Sequence, residues 1–529
     1  MSFSPNTAKW GGQAYTPLPD PPGPPQMYAP QYAPQNDYPA PSGYPPNYPS
    51  DEKSPFEGGR FAPKKKINDI FPLMLYILTV LGFALVSVIV LVAWVKHGGL
   101  GGSVGGDANH TGTKISLNRR ANHTAILLLF VAGAGLILAS LYLILTRAFT
   151  KAILHITLVL TILLNIGVAV LYWIEKVYVA AIIFTIIAII SVFAYFGYRA
   201  RIPLATILLQ TVMDISKHHP SVYVVAFVAL IVQAVVSVWF SFTAIATYER
   251  WTPGNPACTE AKDCSSAKVT GLVIFEVFAY IWMSQVIGNV ALATMAGGPF
   301  GSWYYFGPRE QGQMPSHPTL SAFVRASTLS LGSIAFGSLI VTILELIRIV
   351  LEIAKDNAAS DGHPVEACLA LCAECFIGCI EGMVEYFNRY AYIEIALYGK
   401  PYLAAAKDTW GLFKDRGIDV VVNDSLVNMA LTWGGYVVGL LCALFAFLYL
   451  HFTHPSYNSD GQYTVPVLVF AFLIGLQCSL TLSSAIEAGV STIFVGLGED
   501  PQVLAIRAPE LFGLIASTYP QVVHGVARV

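Results

Sequence analysis

The chain has 529 residues, of which 55% are hydrophobic and only 12% are charged, and its mean hydropathy is +0.59. A soluble domain has about 25% charged residues, so this composition indicates a polytopic membrane protein. The net charge of −2 lacks the Lys/Arg excess of a phosphate-binding surface and argues against nucleic acid as a partner. Eight cysteines in a chain of this length do not indicate a disulfide framework.

The first 66 residues differ in composition from the rest of the chain. Residues 1–60 are rich in Pro, Tyr, Gly, Gln and Asn and have almost no aliphatic runs. They cannot bury a core and are expected to be partly polyproline II. The segment has no apolar h-region, so it is not a signal peptide. Residues 1–66 are therefore predicted to form a disordered cytoplasmic tail.

One short motif in this tail suggests a protein partner. Pro45-Pro46-Asn47-Tyr48 matches the PPxY pattern that WW domains bind as a preformed polyproline helix. A ubiquitin ligase carrying WW domains is the partner that Pro45, Pro46 and Tyr48 would suggest. In a segment so rich in Pro and Tyr, a chance match explains the motif equally well.

Apolar stretches of about 20 residues, each long enough to cross a bilayer as a helix, follow the tail. They cover 70–95, 124–146, 152–174, 177–197, 221–246, 269–295, 328–350, 365–396, 425–450 and 465–495. Lys64, Lys65 and Lys66 precede the first stretch and place the N-terminus in the cytoplasm by the positive-inside rule. The sequence thus predicts an all-α, polytopic membrane helix bundle of about ten transmembrane helices. The transmembrane domain covers 67–500, a cytoplasmic C-terminal segment covers 501–529, and both termini are cytoplasmic.

The loops fit this topology. Asn109 and Asn122 both begin glycosylation acceptor patterns in the predicted external loop 96–123. Cys258 and Cys264 lie in the predicted external loop 247–268, where a short disulfide can persist. On the cytoplasmic side, the amphipathic segments 202–217, 401–416 and 509–518 are predicted to lie at the membrane interface, more often as braces than as gates.

The eighth stretch carries more charge than a membrane span normally does. Glu374, Glu381 and Glu385 fall within about 40° of one another on a helical wheel, so one face of the helix is acidic. The cysteines lie on the opposite side and are interpreted as packing residues rather than metal ligands; they are Cys368, Cys372, Cys375 and Cys379. Ionisable groups at membrane depth are costly, which makes the acidic face a functional-site hypothesis.

Several explanations for the acidic face stay open. Glu381 and Glu385 are one turn apart and repel each other unless one is protonated, a cation lies between them, or Arg389 compensates. Arg348 can pair with Glu345 on its own helix or reach towards Glu374. An organic cation is held by aromatic faces together with a carboxylate. The aromatic candidates are Trp282, Tyr392 and Trp433, although packing or membrane-belt roles are commoner for such residues.

Three segments carry a resemblance to a known family. They are WMSQVIGNVALATMAG at 282–297, SLGSIAFGSLI at 330–340 and FNRYAYIEIALYGK at 387–400, and they resemble the choline transporter-like family of solute carriers. With its Pro/Tyr-rich tail the chain is most similar to the fungal branch, the pH-nine-sensitive type. The resemblance implies about ten transmembrane helices, a glycosylated first external loop and a plasma-membrane location. It also implies choline or ethanolamine movement in exchange for protons, as in the animal members, which read Asn where this chain has Tyr390.

These observations predict a plasma-membrane secondary transporter of a choline-like or ethanolamine-like cation with proton coupling. Its partners are a small-molecule substrate and membrane lipid. Glu374, Glu381 and Glu385 would bind the cation or the proton, and Arg389 would tune the acids. The three aromatic candidates would enclose the ammonium group. No nucleotide-binding glycine loop, HExxH motif or triad is found, so neither enzyme activity nor a cofactor is predicted. The alternatives are a scaffold or ubiquitin-ligase adaptor that uses the tail, and a lipid-handling protein or channel.

Overall fold

A computed structural model describes most of the chain after the N-terminal tail. The described residues are 66–96, 111–253, 258, 265–307, 315–453, 455, 458, 461–462 and 464–518. The predicted tail with its PPxY motif, Asn109 and Cys264 therefore lie outside the described residues. Cys258 is buried and disulfide-bonded, and Asn122 lies within a helix.

The described residues form helices, and none of them forms a strand. The helices are α1 (Ile70–Lys96), α2 (Thr111–Ala148), α3 (Thr150–Ile174), α4 (Tyr178–His218), α5 (Ser221–Trp251), α6 (Ser266–Met295), α7 (Gly301–Phe306), α8 (Pro318–Val324), α9 (Leu331–Ser360), α10 (Pro364–Tyr398), α11 (Tyr402–Thr453), α12 (Thr464–Glu499), α13 (Pro501–Arg507) and α14 (Pro509–Thr518). Two π-helical turns, Ala296–Phe300 and Arg325–Leu329, join α6 to α7 and precede α9.

Ten helical segments within the described residues are long and apolar enough to cross a membrane, which confirms the predicted number. They belong to α1–α5, α6 with α7, and α9–α12. Because each crossing reverses direction, α1, α3, α5, α9 and α11 begin on one side of the bundle. We name this the near side, and the opposite side is the far side. The last turns of α10 and α12 also lie on the near side.

Apolar side chains cover both the interior and the outer surface of the bundle. One core cluster joins α2, α11 and α12 through buried residues that include Val131, Cys442 and Ala471. Large apolar residues such as Phe71, Ile137 and Phe193 are exposed on the outside. Such a surface is stable against lipid, and helices satisfy their own backbone hydrogen bonds there.

The prediction of interfacial helices at 202–217 and 401–416 is wrong in one respect, because neither segment is a separate helix. Both are continuous with a spanning helix, because α4 runs to His218 and α11 starts at Tyr402. In the first segment the apolar face is buried in protein rather than in the lipid interface, with Ile202, Leu208 and Val212 fully covered. Helix α2 likewise begins at Thr111, within the predicted loop 96–123.

Helix α6 is broken at Gly297, Gly298 and Pro299. Gly298 has non-helical backbone angles of φ −100° and ψ −108°. A Cβ on Gly297 would lie 2.7 Å from the carbonyl oxygen of Ala396, so glycine there lets α10 approach closely. Arg325 Nη2 donates to the Gly297 carbonyl at 2.9 Å. Burial lowers the pKa of the Arg325 guanidinium, which nevertheless stays charged and caps the break.

The start of α1 is anchored to α9 and α11 on the near side. Asp69 Oδ2 accepts hydrogen bonds from Ser333 Oγ at 2.7 Å and from the Tyr402 amide at 2.8 Å. Asn68 Nδ2 donates to the carbonyl of Gly399 at 2.9 Å. Gly399 ends α10 in the left-handed conformation, with φ 64°, which glycine adopts without strain. The turn after α10 is thereby held against the first helix.

Gly337 is a point of close contact between α9 and its neighbours. A Cβ on Gly337 would lie 2.6 Å from Tyr392 Oη and 2.6 Å from Tyr402 Cε2. We expect Gly337→Val to destabilise the protein by about 1–3 kcal/mol through overpacking. The melting temperature of the purified protein in detergent measures this effect. Gly133→Ala is the control, since nothing lies within 4 Å of a Cβ there; an equal loss in both variants would contradict the close contact.

Candidate functional site

A series of polar side chains lines the interface between the antiparallel helices α9 and α10. Because the two helices are antiparallel, residues late in α9 meet residues early in α10. Side chains from the two helices therefore contact each other at successive depths. We call this series the polar ladder. Its members are Lys355, Arg348, Glu345, Ser338 and Gly337 of α9 with Glu374, Glu381, Glu385, Asn388 and Tyr392 of α10.

The outer part of the ladder, towards the far side, consists of ion pairs. Lys355 Nζ lies 2.8 Å from Glu374 Oε2, and both side chains are about one-fifth to one-quarter exposed, at 24% and 21%. One step deeper, Arg348 Nη1 lies 3.2 Å from Glu381 Oε2. The sequence left Arg348 with two candidate partners, Glu345 and Glu374; its ion pair is with Glu381.

Below these pairs, acids outnumber bases. Glu345 accepts a hydrogen bond from the Gln285 side chain of α6 and interacts electrostatically with both Arg348 and Glu385. We call Glu345, Glu381 and Glu385 with Arg348 the acidic cluster. It holds three carboxylates and one guanidinium, so among the described residues of this cluster one cationic side chain accompanies three acids. A bound cation or proton would relieve this imbalance.

The inner part of the ladder is neutral and closely hydrogen-bonded. Asn289 Nδ2 of α6 donates to Ser338 Oγ at 3.0 Å, and the Tyr392 hydroxyl lies 3.5 Å from the same oxygen. Asn388 Nδ2 donates to the Gly337 carbonyl at 3.1 Å. Since Tyr392 and Asn388 are 2% and 1% exposed, these bonds satisfy groups that would otherwise be buried at a cost.

Tyr402, the first residue of α11, closes the ladder on the near side. Its hydroxyl donates to Asn388 Oδ1 at 2.6 Å. Burial raises the pKa of Tyr402 to about 12, so the hydroxyl remains protonated and able to donate. Because the Tyr402 amide also donates to Asp69, one residue connects the ladder with the starts of α1 and α11.

The other residues predicted for the site lie around the ladder or apart from it. Trp282 is fully buried, donates from Nε1 to the Ala335 carbonyl at 3.0 Å, and packs its ring against Tyr76 and Phe278. Trp433 of α11 donates from Nε1 to Thr161 Oγ1 of α3 at 2.8 Å. The structure therefore brings Glu374, Glu381, Glu385 and Tyr392 onto one interface, with Trp282 beside its inner part, and places Trp433 against α3.

Arg389 is directed at a third helix. Its Nη2 lies 2.6 Å from Glu487 Oε2 of α12, and both side chains are largely covered. This ion pair ties α10 to α12 at the depth of the inner ladder. Whether Arg389 also tunes Glu385 stays a prediction.

The cysteine face of α10 lies opposite the ladder. Cys368, Cys372, Cys375 and Cys379 are free thiols, and all four are exposed on the outer surface. The helix therefore presents its acids to α9 and its thiols to the surroundings, as the helical wheel predicts. The packing role expected for these thiols receives no support from this exposure.

Sequence reasoning missed five members of the site: Lys355 and Ser338 of α9, Gln285 and Asn289 of α6, and Tyr402 of α11. Gln285 and Asn289 are one turn apart on α6 and three and seven residues beyond Trp282, so all three share a face. That spacing was the available signal. Tyr402 follows the Gly399 and Pro401 turn, and its contact with Asn388 depends on how α11 folds back, which local spacing does not specify.

The ladder lies in a part of the chain that is similar to known proteins. A family model described as plasma-membrane choline transporter matches residues 182–502. Protein PNS1 of Cryptococcus neoformans var. neoformans serotype D is 59% identical over 471 residues, which cover 89% of this chain and 85% of the relative. Protein PNS1 of Mycosarcoma maydis is 45% identical, with 90% and 89% covered. For protein PNS1 of Yarrowia lipolytica the identity is 39%, with 90% and 83% covered.

The family match begins within α4, covers the six candidate spans that follow it and includes every residue of the polar ladder. The family match extends over more than half of the chain. The chain therefore belongs to the choline transporter-like family of multi-pass membrane transporters.

Proposed function

We propose that the protein is a proton-coupled secondary transporter of a small organic cation of the choline or ethanolamine class. The family and the relatives support transport as the activity. The observation that carries the substrate class is the acidic cluster, where three carboxylates face one guanidinium at membrane depth. A fixed organic cation placed there would supply the missing positive charge.

The position of the cluster suits a transport site. It lies between α6, α9 and α10, and the Lys355–Glu374 pair lies next to it towards the far side. Glu385 is exposed while Glu381 is 8% exposed, so the cluster has one accessible acid and one covered acid. The break in α6 lies nearer the near side, and discontinuous helices commonly border transport sites.

The proposed binding set follows from these positions. Glu381 and Glu385 attract the cation, and Glu374 attracts it at the entrance. Tyr392 and Trp282 form the inner wall, where an aromatic face can hold an ammonium group. Trp433 of α11 and Arg389, which pairs with Glu487 of α12, remain predicted contributors to the site. No cofactor and no enzymatic step are part of this proposal.

The location and orientation are also proposals. The Lys64–Lys66 run before α1 favours a cytoplasmic near side, because Lys and Arg concentrate on the cytoplasmic side of membrane helices. The far side, with the Cys258 disulfide, is then external, which agrees with the glycosylation patterns that the sequence has at Asn109 and Asn122. The plasma membrane is the proposed location, and a WW-domain ubiquitin ligase is the proposed partner of the tail.

Glu381 provides a direct test of the cation site. In proteoliposomes with a pH gradient, we expect Glu381→Gln to lower the uptake of labelled choline and ethanolamine about tenfold or more. The reason is that an interaction with a charged group is worth about 1.5–3 kcal/mol. Glu366→Gln is the matched control, because Glu366 lies in the first turn of the same helix and is exposed.

Two outcomes would contradict the cation site. Equal uptake by the wild type and Glu381→Gln, including no uptake by either, would remove its basis. Scrambling of labelled lipid by the same vesicles without choline uptake would show the lipid-handling alternative instead.

Removal of the N-terminal tail distinguishes the transporter hypothesis from the adaptor hypothesis. We expect a variant without residues 1–60 to keep the full choline flux in proteoliposomes, because every residue of the polar ladder lies after residue 66. An adaptor would lose capture of its WW-domain partner, which is measured by pull-down from the same preparation. Tyr48→Ala in the full chain is the matched control for the motif. Loss of flux on removal of the tail would contradict the assignment of transport to the helices alone.

A further inference from the structure

A second charged cluster lies on the near side, at the end of α10, and the proposed function does not use it. Its centre is Glu394, whose side chain is 0% exposed. Glu394 Oε2 lies 2.9 Å from Lys400 Nζ. The other oxygen, Oε1, is buried and has no hydrogen-bond partner among the described residues.

Lys400 is shared between two carboxylates. Its Nζ also lies 2.7 Å from Asp408 Oδ2 of α11 and 4.5 Å from the centre of the Tyr398 ring. Burial opposes the charged form of Lys400, but the carboxylates outweigh it and raise the pKa of Lys400 to about 12. Lys400 therefore stays positive at every physiological pH. Any group that titrates in this cluster is one of the acids.

Further acids face the cluster from α12. The groups that act electrostatically on Glu394 are Lys400, which favours its anion, and Glu499 and Asp408, which oppose it. Next to them, the Tyr305 hydroxyl of α7 donates to Asp500 Oδ2 at 2.8 Å and lies 2.6 Å from the Tyr398 hydroxyl. One ammonium group thus faces carboxylates from α10, α11 and α12.

The two acids that pair with Lys400 differ in their access to water. Asp408 is 40% exposed. Glu394 has no exposure, and its oxygen Oε1 receives no hydrogen bond from a donor among the described residues. A buried carboxylate that shares its counter-ion with a second acid is costly, and taking up a proton removes that cost.

We propose that Glu394 is a proton-binding site of the closed near side, with the dissociable proton on Oε1 and with Lys400 and Asp408 setting its affinity. On the near side the ends of α7, α10, α11 and α12 enclose the group. When they separate, the O–H bond of Glu394 breaks and the proton passes to water. The carboxylate that remains is then compensated by Lys400.

This site differs from the acidic cluster, although its use in transport rests on the proposed function. It would place the coupling proton at Glu394 and leave the organic cation to Glu381 and Glu385. The two sites lie on the same helix, and each can be tested without the other.

The first test measures the melting temperature of the purified full chain in detergent, in steps from about pH 5 to about pH 9, a range above the ordinary carboxyl pKa of about 4.3. The stability that the proton provides is present at low pH and lost once the pH is high enough to remove it. We therefore expect the wild-type melting temperature to fall as the pH rises. Glu394→Gln, which cannot lose a proton, should follow a flatter curve.

Asp408→Asn provides a second variant at a half-exposed position, where folding is less at risk. Without Asp408, Lys400 pairs with Glu394 alone. Glu394 should then lose its proton more easily, and the fall in melting temperature should occur at lower pH. Lys400→Met should move it to higher pH. A merely structural role for the three residues would not shift the curve in opposite directions.

The outcomes separate this proposal from the proposed function. Parallel curves for the wild type and Glu394→Gln, or an unshifted curve for Asp408→Asn, would overturn the proton site. Choline uptake by the same variants is measured in proteoliposomes at several pH values. If Glu394→Gln flattens the dependence of melting temperature on pH but no variant takes up choline, the proton site is supported and choline is excluded as the substrate.

Discussion

The cost of an ionisable group at membrane depth constrains the whole structure. An unpaired charge in the bilayer interior is unfavourable, and the chain meets this constraint by pairing charges between neighbouring helices. Lys355 with Glu374, Arg348 with Glu381 and Arg389 with Glu487 each join two helices. The Lys355–Glu374 and Arg348–Glu381 pairs fix the register of antiparallel α9 and α10, because a shift of one residue would break both.

The same constraint explains how non-helical backbone is tolerated near the membrane. The break at Gly298 leaves polar backbone exposed to its neighbours, and the Arg325 guanidinium donates into it. At the start of α1, the Asp69 carboxylate likewise accepts hydrogen bonds from the Ser333 hydroxyl and the Tyr402 amide. These contacts gather on the near side. That side is accordingly a closely hydrogen-bonded assembly, whereas the far-side half of α10 is largely exposed.

The sequence predicts more of the fold than of the site. Runs of apolar residues specify the ten spans because length and hydropathy are local properties. The acidic face of α10 follows from helical spacing alone, as does the opposite cysteine face. The partners do not follow: Glu381 with Arg348 and Arg389 with Glu487 depend on the relative depth of separate helices. The continuity of α4 through 202–217 was missed for a similar reason, since an apolar face fits protein and lipid equally well.

The two charged sites on α10 raise the question of how one would sense the other. Glu381 and Glu394 are separated by about 20 Å along the helix, at 1.5 Å per residue. At an effective dielectric constant of about 20, two unit charges at this distance interact by less than about 1 kcal/mol. That is too little for tenfold coupling, which requires about 1.4 kcal/mol. A link between the sites must therefore be mechanical. The inner ladder provides the path, since Asn388 holds Tyr402 and α11 carries Asp408 to Lys400.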